Sequence, residues 1–114
     1  MQRKKDLKAA YKEMKPRMGV FQIRNTANGK IFVGSNTNLD AIWNRHRFAL
    51  NFGSHTNAAL QADWKTYGEN FFEFEILAEV KHKDDPAFDY RKELKMLEAL
   101  FLEELKPFGE NGYN

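Results

Sequence analysis

Two short runs of strand formers, Met18-Gly19-Val20-Phe21-Gln22-Ile23-Arg24 and Lys30-Ile31-Phe32-Val33-Gly34, are separated by Asn25-Thr26-Ala27-Asn28-Gly29. The Asn-Gly pair suits a tight hairpin turn, whose backbone must enter the left-handed region that these residues tolerate best. This hairpin is the strongest local signal in the chain, and the rest of the fold has to be built on it.

Two helices are expected next. Asn36, Thr37 or Asn38 can cap the first, whose apolar positions Leu39, Ile42, Trp43, Ala49 and Leu50 share one face until Gly53 stops it. Thr56 or Asn57 opens the second, with Leu60, Trp64 and Tyr67 inward and Gly68 after it. Phe72, Phe74, Ile76, Ala78 and Val80 then alternate with Glu73, Glu75 and Glu79, the period of a half-buried strand. Asp84 or Asp85 can cap a last helix over about residues 87–105, burying Leu94, Leu97, Leu100, Phe101 and Leu105, before a loose tail ending Asn-Gly-Tyr-Asn. Upstream, Leu7, Ala10, Tyr11 and Met14 share one face of a short helix that Pro16 ends. The expected architecture is α+β, ββααβα, a three-stranded mixed sheet flanked by helices. It divides into a basic amphipathic leader, residues 1–17, and a domain over 18–114.

A length of 114 residues suits one domain with one modest core. The absence of cysteine excludes a disulfide framework, a Cys-ligated zinc and a thiol nucleophile. No apolar run approaches the roughly 20 residues that span a bilayer, so no membrane association is expected and a cytoplasmic protein is the default. The net charge of +2 conceals an asymmetry. Residues 1–17 carry seven basic side chains against two acids, residues 18–65 five against two, and residues 66–114 six against twelve. A positive N-terminal half facing a polyanion is one reading, and solvated helix faces are the other.

The ordered motifs add a resemblance. Gly19-Val20-Phe21, with Phe21 eleven residues before the Phe32 of Phe32-Val33-Gly34, resembles the paired signature of the GIY-YIG endonuclease domain family. Gly34-Ser35, Asn38-Leu39, Trp43-Asn44-Arg45-His46, Gly53-Ser54-His55, Leu60-Gln61, Tyr67-Gly68, Phe74-Glu75-Ile76-Leu77 and the terminal Asn-Gly-Tyr-Asn follow in family order. The resemblance spans residues 18–114 and is similar to the catalytic domains of phage homing endonucleases.

That resemblance implies a phosphodiester-hydrolysing site with two tyrosines, an arginine, assisting histidines and one glutamate holding Mg²⁺ or Mn²⁺. Carried over, the tyrosines fall on Phe21 and Phe32, the arginine on Ile42, and the histidines on His46 and His55. The metal glutamate falls on Glu98 and the terminal asparagine on Asn114. Three positions have therefore lost their chemistry. Phenylalanine cannot exchange a proton, a loss of about 10²–10⁴-fold where general acid–base catalysis is needed. Isoleucine cannot present a cationic fork to phosphate oxygens.

Each position has a plainer reading beside the functional one. Phe21, Phe32 and Ile42 can simply fill a core; His46 can be a satisfied buried histidine; His55 can cap a helix; Glu98 shares its helix with the solvated Glu93, Glu103 and Glu104. The expectation is a nuclease-family domain with a degenerate site that retains non-specific DNA binding, with Arg24, Lys30, Arg45, Arg47 and Lys65 on phosphates. One alternative is a slow Mg²⁺- or Mn²⁺-dependent endonuclease using Glu98, His46 and Arg45. The other is a protein-interaction module engaging a partner through the leader helix or the acidic C-terminal half.

Overall fold

The computed structural model describes residues 16–83 and 85–114. The leader helix expected over residues 1–15, and Asp84, lie outside the described residues. The hairpin forms as its sequence demands: β1 (Met18–Asn25) pairs antiparallel with β2 (Ile31–Asn36), joined by a turn in which Gly29 takes φ 77°. Asn25 and Asn28 fold their side chains back onto Ala27 N (2.9 Å) and Lys30 N (3.0 Å), which tightens the loop.

Asn38 caps α1 (Leu39–Phe52) by accepting from Ala41 N at 3.1 Å, and Gly53 closes it in the left-handed conformation. Asn57 does the same for α2 (Ala58–Tyr67), accepting from Leu60 N at 3.0 Å. After a turn at Glu69–Phe71, β3 (Phe72–Val80) returns to the free side of β1. The sheet order is β2-β1-β3 and both ladders are antiparallel. The mixed sheet expected from the sequence is thus corrected. β2 and β3 both run against β1, so the two helices between them carry the chain across one face and return it in the direction of β2; among the described residues parallel pairing is confined to a single bridge between Ile31 and Gly112.

One residue of β3 decides how the sheet is covered. Val20 pairs with Ala78 but Phe21 pairs with Ile76, so Leu77 is an extra residue without a partner, a β-bulge. A bulge flips the alternation, and the apolar positions change sides. Phe72, Phe74 and Ile76 join Phe21, Ile23, Leu39, Leu50, Leu60 and Trp64 in one core beneath α1 and α2. Val80 joins Met18 and Leu94 in a second core beneath α3 (Tyr90–Leu105). Each fully buried aliphatic or aromatic side chain here contributes about 1.5–3 kcal/mol of transfer free energy.

The last helix departs from expectation. It starts at Tyr90, capped by Asp89, which accepts from Lys92 N at 3.1 Å; Asp85 instead closes a preceding turn through Ala87 N. Only Leu94 is buried on it. Leu100, expected inside, is 62 % exposed, because six residues at roughly 100° each place it about 120° away from Leu94. Leu105 lies at the helix end and is partly open, as is Tyr67 at the end of α2, whose ring meets Phe71 edge-on at 6.2 Å.

The tail is anchored, not loose. Tyr113 N donates to Ile31 O at 2.9 Å, and the Asn114 amide both accepts from Val33 N and donates to Val33 O, each at 2.8 Å. The final residues thereby pair with the outer edge of β2, which would otherwise present open backbone groups to solvent. The Tyr113 hydroxyl donates to Asp63 at 2.7 Å and accepts from Asn25 at 3.2 Å, tying tail, hairpin and α2 together. Burial and the adjacent Asp63 carboxylate push that phenol up to about 12.

Candidate functional site

Strand alternation puts Phe21, Ile23, Phe32 and Gly34 on the sheet face that α1 and α2 cover. The Phe21 ring lies directly over Gly34: a β-carbon built on Gly34 would stand 2.8 Å from Phe21 Cζ. The motif glycine is therefore required by contact with its cross-strand partner. Gly19 is tighter still, since a β-carbon there would meet the Ala78 carbonyl oxygen.

His46, one turn along α1 from Ile42, reaches this face. Its ring sits 5.7 Å from that of Phe21 and 5.6 Å, edge-on, from that of Phe32. His55, from the loop between α1 and α2, comes alongside with His46 Nδ1 and His55 Nε2 2.8 Å apart. The backbone N–H of Asn57 donates to His55 Nδ1 at 3.0 Å. That nitrogen is therefore unprotonated, His55 Nε2 carries the proton and donates it to His46 Nδ1, and His46 is left with its proton on Nε2. Burial, then the neighbouring His55 and Arg45, lowers His46 to about 4; burial also lowers His55. Both imidazoles are neutral at pH 7 in this arrangement.

A cavity of about 180 Å³ opens in front of the pair, lined by Ile42, Arg45, His46, Ala49, Ser54, His55 and Thr56. Arg45 thus stands on the same cavity as Ile42. Gln61 supports the floor from beneath: it accepts from His55 N at 3.0 Å and donates to Leu50 O at 3.0 Å.

Glu98 is held at the end of β2, where Ser35 Oγ donates to it at 3.2 Å and Lys95 Nζ lies 3.5 Å from its second oxygen. None of its hydrogen bonds goes to the histidine pair. Among the described residues no three carboxylate, imidazole or thiolate groups converge as a metal cluster. A single carboxylate beside a hydroxyl still fits a hard cation that keeps most of its waters.

The basic residues divide. Arg24 is committed to Glu75 (2.6 Å) and Glu73 (2.7 Å), on the sheet face opposite Phe21. Its guanidinium holds Glu75 below the usual carboxylate range. Arg24, expected on a phosphate, thus pairs with two carboxylates on the face away from the histidine pair. Arg47 pairs with Glu69 at 3.0 Å and lies over the Trp43 ring. Arg45, Lys65 and Lys30 form no ion pair among the described residues.

The resemblance assigns Phe21, Phe32, Ile42, His46, His55, Glu98 and Asn114 to one site; the structure gathers the first five around the cavity, whereas Glu98 bonds to Ser35 and Asn114 to Val33 on β2. Sequence reasoning missed Ser35, Gln61 and Asn57 as supports, although each stands beside a motif residue or at a helix start. The expectation that His55 caps a helix is also corrected, since Asn57 caps α2 while His55 faces His46.

Comparison with known proteins agrees with this geometry. The model of the GIY-YIG catalytic domain matches residues 17–114. Over 67 residues, 59 % of this chain, the sequence is 39 % identical to intron-associated endonuclease 1 of Enterobacteria phage T4, spanning only 27 % of that protein's length. Two solved structures of the I-TevI catalytic domain, one of a mutant, superpose with TM-scores of 0.71 and 0.70 at 32 % identity. They cover 86 % and 85 % of this chain and 92 % and 96 % of theirs. With the sheet, the motif contacts and the full-domain match in agreement, the chain belongs to the GIY-YIG catalytic domain family.

Proposed function

We propose that this domain binds nucleic acid, DNA without sequence preference, across the α1–α2 side of the sheet and cleaves it very slowly or not at all. The observation that carries this reading is the apolar packing around the histidine pair. Phe21, 2 % exposed, and Phe32 place ring carbon where the family's hydroxyls are implied, and Ile42 lines the cavity where its guanidinium is implied.

His46 does not replace the missing base. A group lowered to about 4 is a weak proton acceptor at neutral pH, far from the matched value that acid–base catalysis favours. Among the described residues Arg45 is the one cation lining the cavity, and it is suited to phosphate binding. Glu98, with Ser35 beside it, would hold a hydrated Mg²⁺ or Mn²⁺. Such a cation supplies charge neutralisation on a phosphoryl oxygen. Glu98 does not by itself activate water, so binding outlasts cleavage. Phosphate contacts from Arg45, Lys65 and Lys30 make that binding electrostatic and salt-dependent.

The test pairs two measurements. Supercoiled plasmid incubated with protein and Mg²⁺ or Mn²⁺ is expected to stay intact, while anisotropy with labelled duplex DNA shows binding that weakens steeply between about 50 and 200 mM salt. Metal-dependent nicking that disappears in Glu98→Ala would overturn the loss of cleavage. Absence of binding at the lower salt would sink the nucleic-acid reading.

A further inference from the structure

Outside the cavity, α1 carries a second feature. Phe48 and Phe52 are 72 % and 76 % exposed, one turn apart, with their rings parallel to within 5° and centroids 6.0 Å apart. Neither belongs to a core cluster, so core packing does not explain them. Arg45 precedes Phe48 by three residues and continues the same exposed stripe into the cavity, roughly 10 Å of helix from Arg45 to Phe52. At the other end Lys65 Nζ lies 3.9 Å from where a β-carbon on Gly53 would stand. No Asp or Glu occurs between residues 41 and 62.

We infer that Phe48 and Phe52 form a stacking platform for unpaired bases, flanked by Arg45 and Lys65 on the adjoining phosphates. The inference rests on the nucleic-acid reading above and deepens it: the strand is held single at this face. Every base offers a π-face, so stacking needs no sequence, and the alternation of flat apolar rings with cations is the chemistry of a single strand. An apolar protein partner would match the rings but leave Arg45 and Lys65 facing nothing of opposite charge. A duplex hides its base faces and would engage the two cations alone.

The test uses the whole chain, a fluorescent oligothymidylate, and a blunt duplex of the same length. Three forms are compared: wild type, Phe48→Trp/Phe52→Trp, which keeps the π-faces, and Phe48→Leu/Phe52→Leu, which keeps apolar bulk without them. Both sites are exposed, and helical circular dichroism checks that the variants fold. The leucine pair is expected to lose roughly tenfold to a hundredfold in affinity for oligothymidylate and little for duplex. The tryptophan pair is expected to bind at least as well as wild type. Undiminished oligothymidylate binding by the leucine pair would overturn the platform while leaving DNA binding intact. So would equal losses on both probes, or a wild-type dimer that the leucine pair alone dissociates. Failure of wild type to bind either probe overturns the platform together with the reading beneath it.

Discussion

His46 Nδ1 accepts a hydrogen bond from His55 Nε2 at 2.8 Å, and the Asn57 amide on the far side of His55 fixes the direction of that bond. Protonating His46 at Nδ1 would set two N–H groups against each other. The pair is a neutral unit built into the floor of the cavity.

This gives a pH prediction. His46 is lowered to about 4 in the fold, against an ordinary value near 6.5. Below about 6.5 the unfolded chain takes up a proton that the folded chain refuses. The stability this group contributes is therefore complete at pH 7 and above, and declines as pH falls from about 6.5 towards 4. NMR titration should find the His46 ring unprotonated at pH 6, with the melting temperature lower at pH 5 than at pH 7.5. His46 titrating near its ordinary value would contradict the buried, coupled geometry.

The two motif glycines should differ in what they tolerate. Gly34→Ala pushes a methyl against the Phe21 ring, and overpacking of this kind costs about 1–3 kcal/mol. Gly19→Ala meets the Ala78 carbonyl of the adjoining strand, which cannot swing aside, and should cost more. Adding Phe21→Leu should relieve part of the Gly34→Ala loss and none of the Gly19→Ala loss, read from urea midpoints.

Asn114→Ala removes both side-chain bonds to Val33. Each net hydrogen bond is worth about 0.5–1.5 kcal/mol. The local signature is sharper: amide exchange at Val33 should speed up, while β1 amides such as Ile23, paired on both sides, change only with global stability. Unchanged exchange at Val33 would show that the tail does not guard the edge.

The cations should separate by partner. Arg45→Ala and Lys65→Ala should each weaken DNA binding and reduce the salt slope by about one. Arg24→Ala should leave both unchanged, because that guanidinium already serves Glu73 and Glu75. A loss for Arg24→Ala equal to that for Arg45→Ala would place the bound strand on the other face of the sheet.

Restoring the implied groups is the complementary experiment. Phe21→Tyr/Phe32→Tyr/Ile42→Arg together should gain metal-dependent plasmid nicking, whereas each single change should not, since groups that act as a unit do not contribute additively. The triple variant remaining inert while folded would mean that more than the three side chains has diverged.

Local chemistry made much of this readable. Asn28-Gly29 marked the turn, Asn38 and Asn57 marked helix starts, and Gly53 marked a helix end, because each acts on its own backbone. The spacing from Ile42 to His46 put both on the cavity. Long-range features were not readable. Nothing near Arg24 announces that Glu73 and Glu75 will reach it across the sheet. Asn114 finds Val33 only through the path of the whole chain. Leu100 carries the same apolar signal as a core residue, and its angle of about 120° from the buried Leu94 leaves it outside.

The unpaired Leu77 makes the register of β3 matter more than side-chain identity. Deleting Leu77 would bring Ile76 and Ala78 together opposite Phe21 and Val20, leaving the other pairings of β3 in place and removing only the bulge. A slip that instead kept Leu77 and paired it with Val20 would carry Val80 away from Met18 and Leu94 and towards the α1–α2 side. The seat of α3, the helix that carries Glu98, would lose one of its walls. A register slip at this point should therefore be tolerated far worse than loss of the bulge residue itself, and the position of Glu98 depends on the register of a strand it never touches by hydrogen bond.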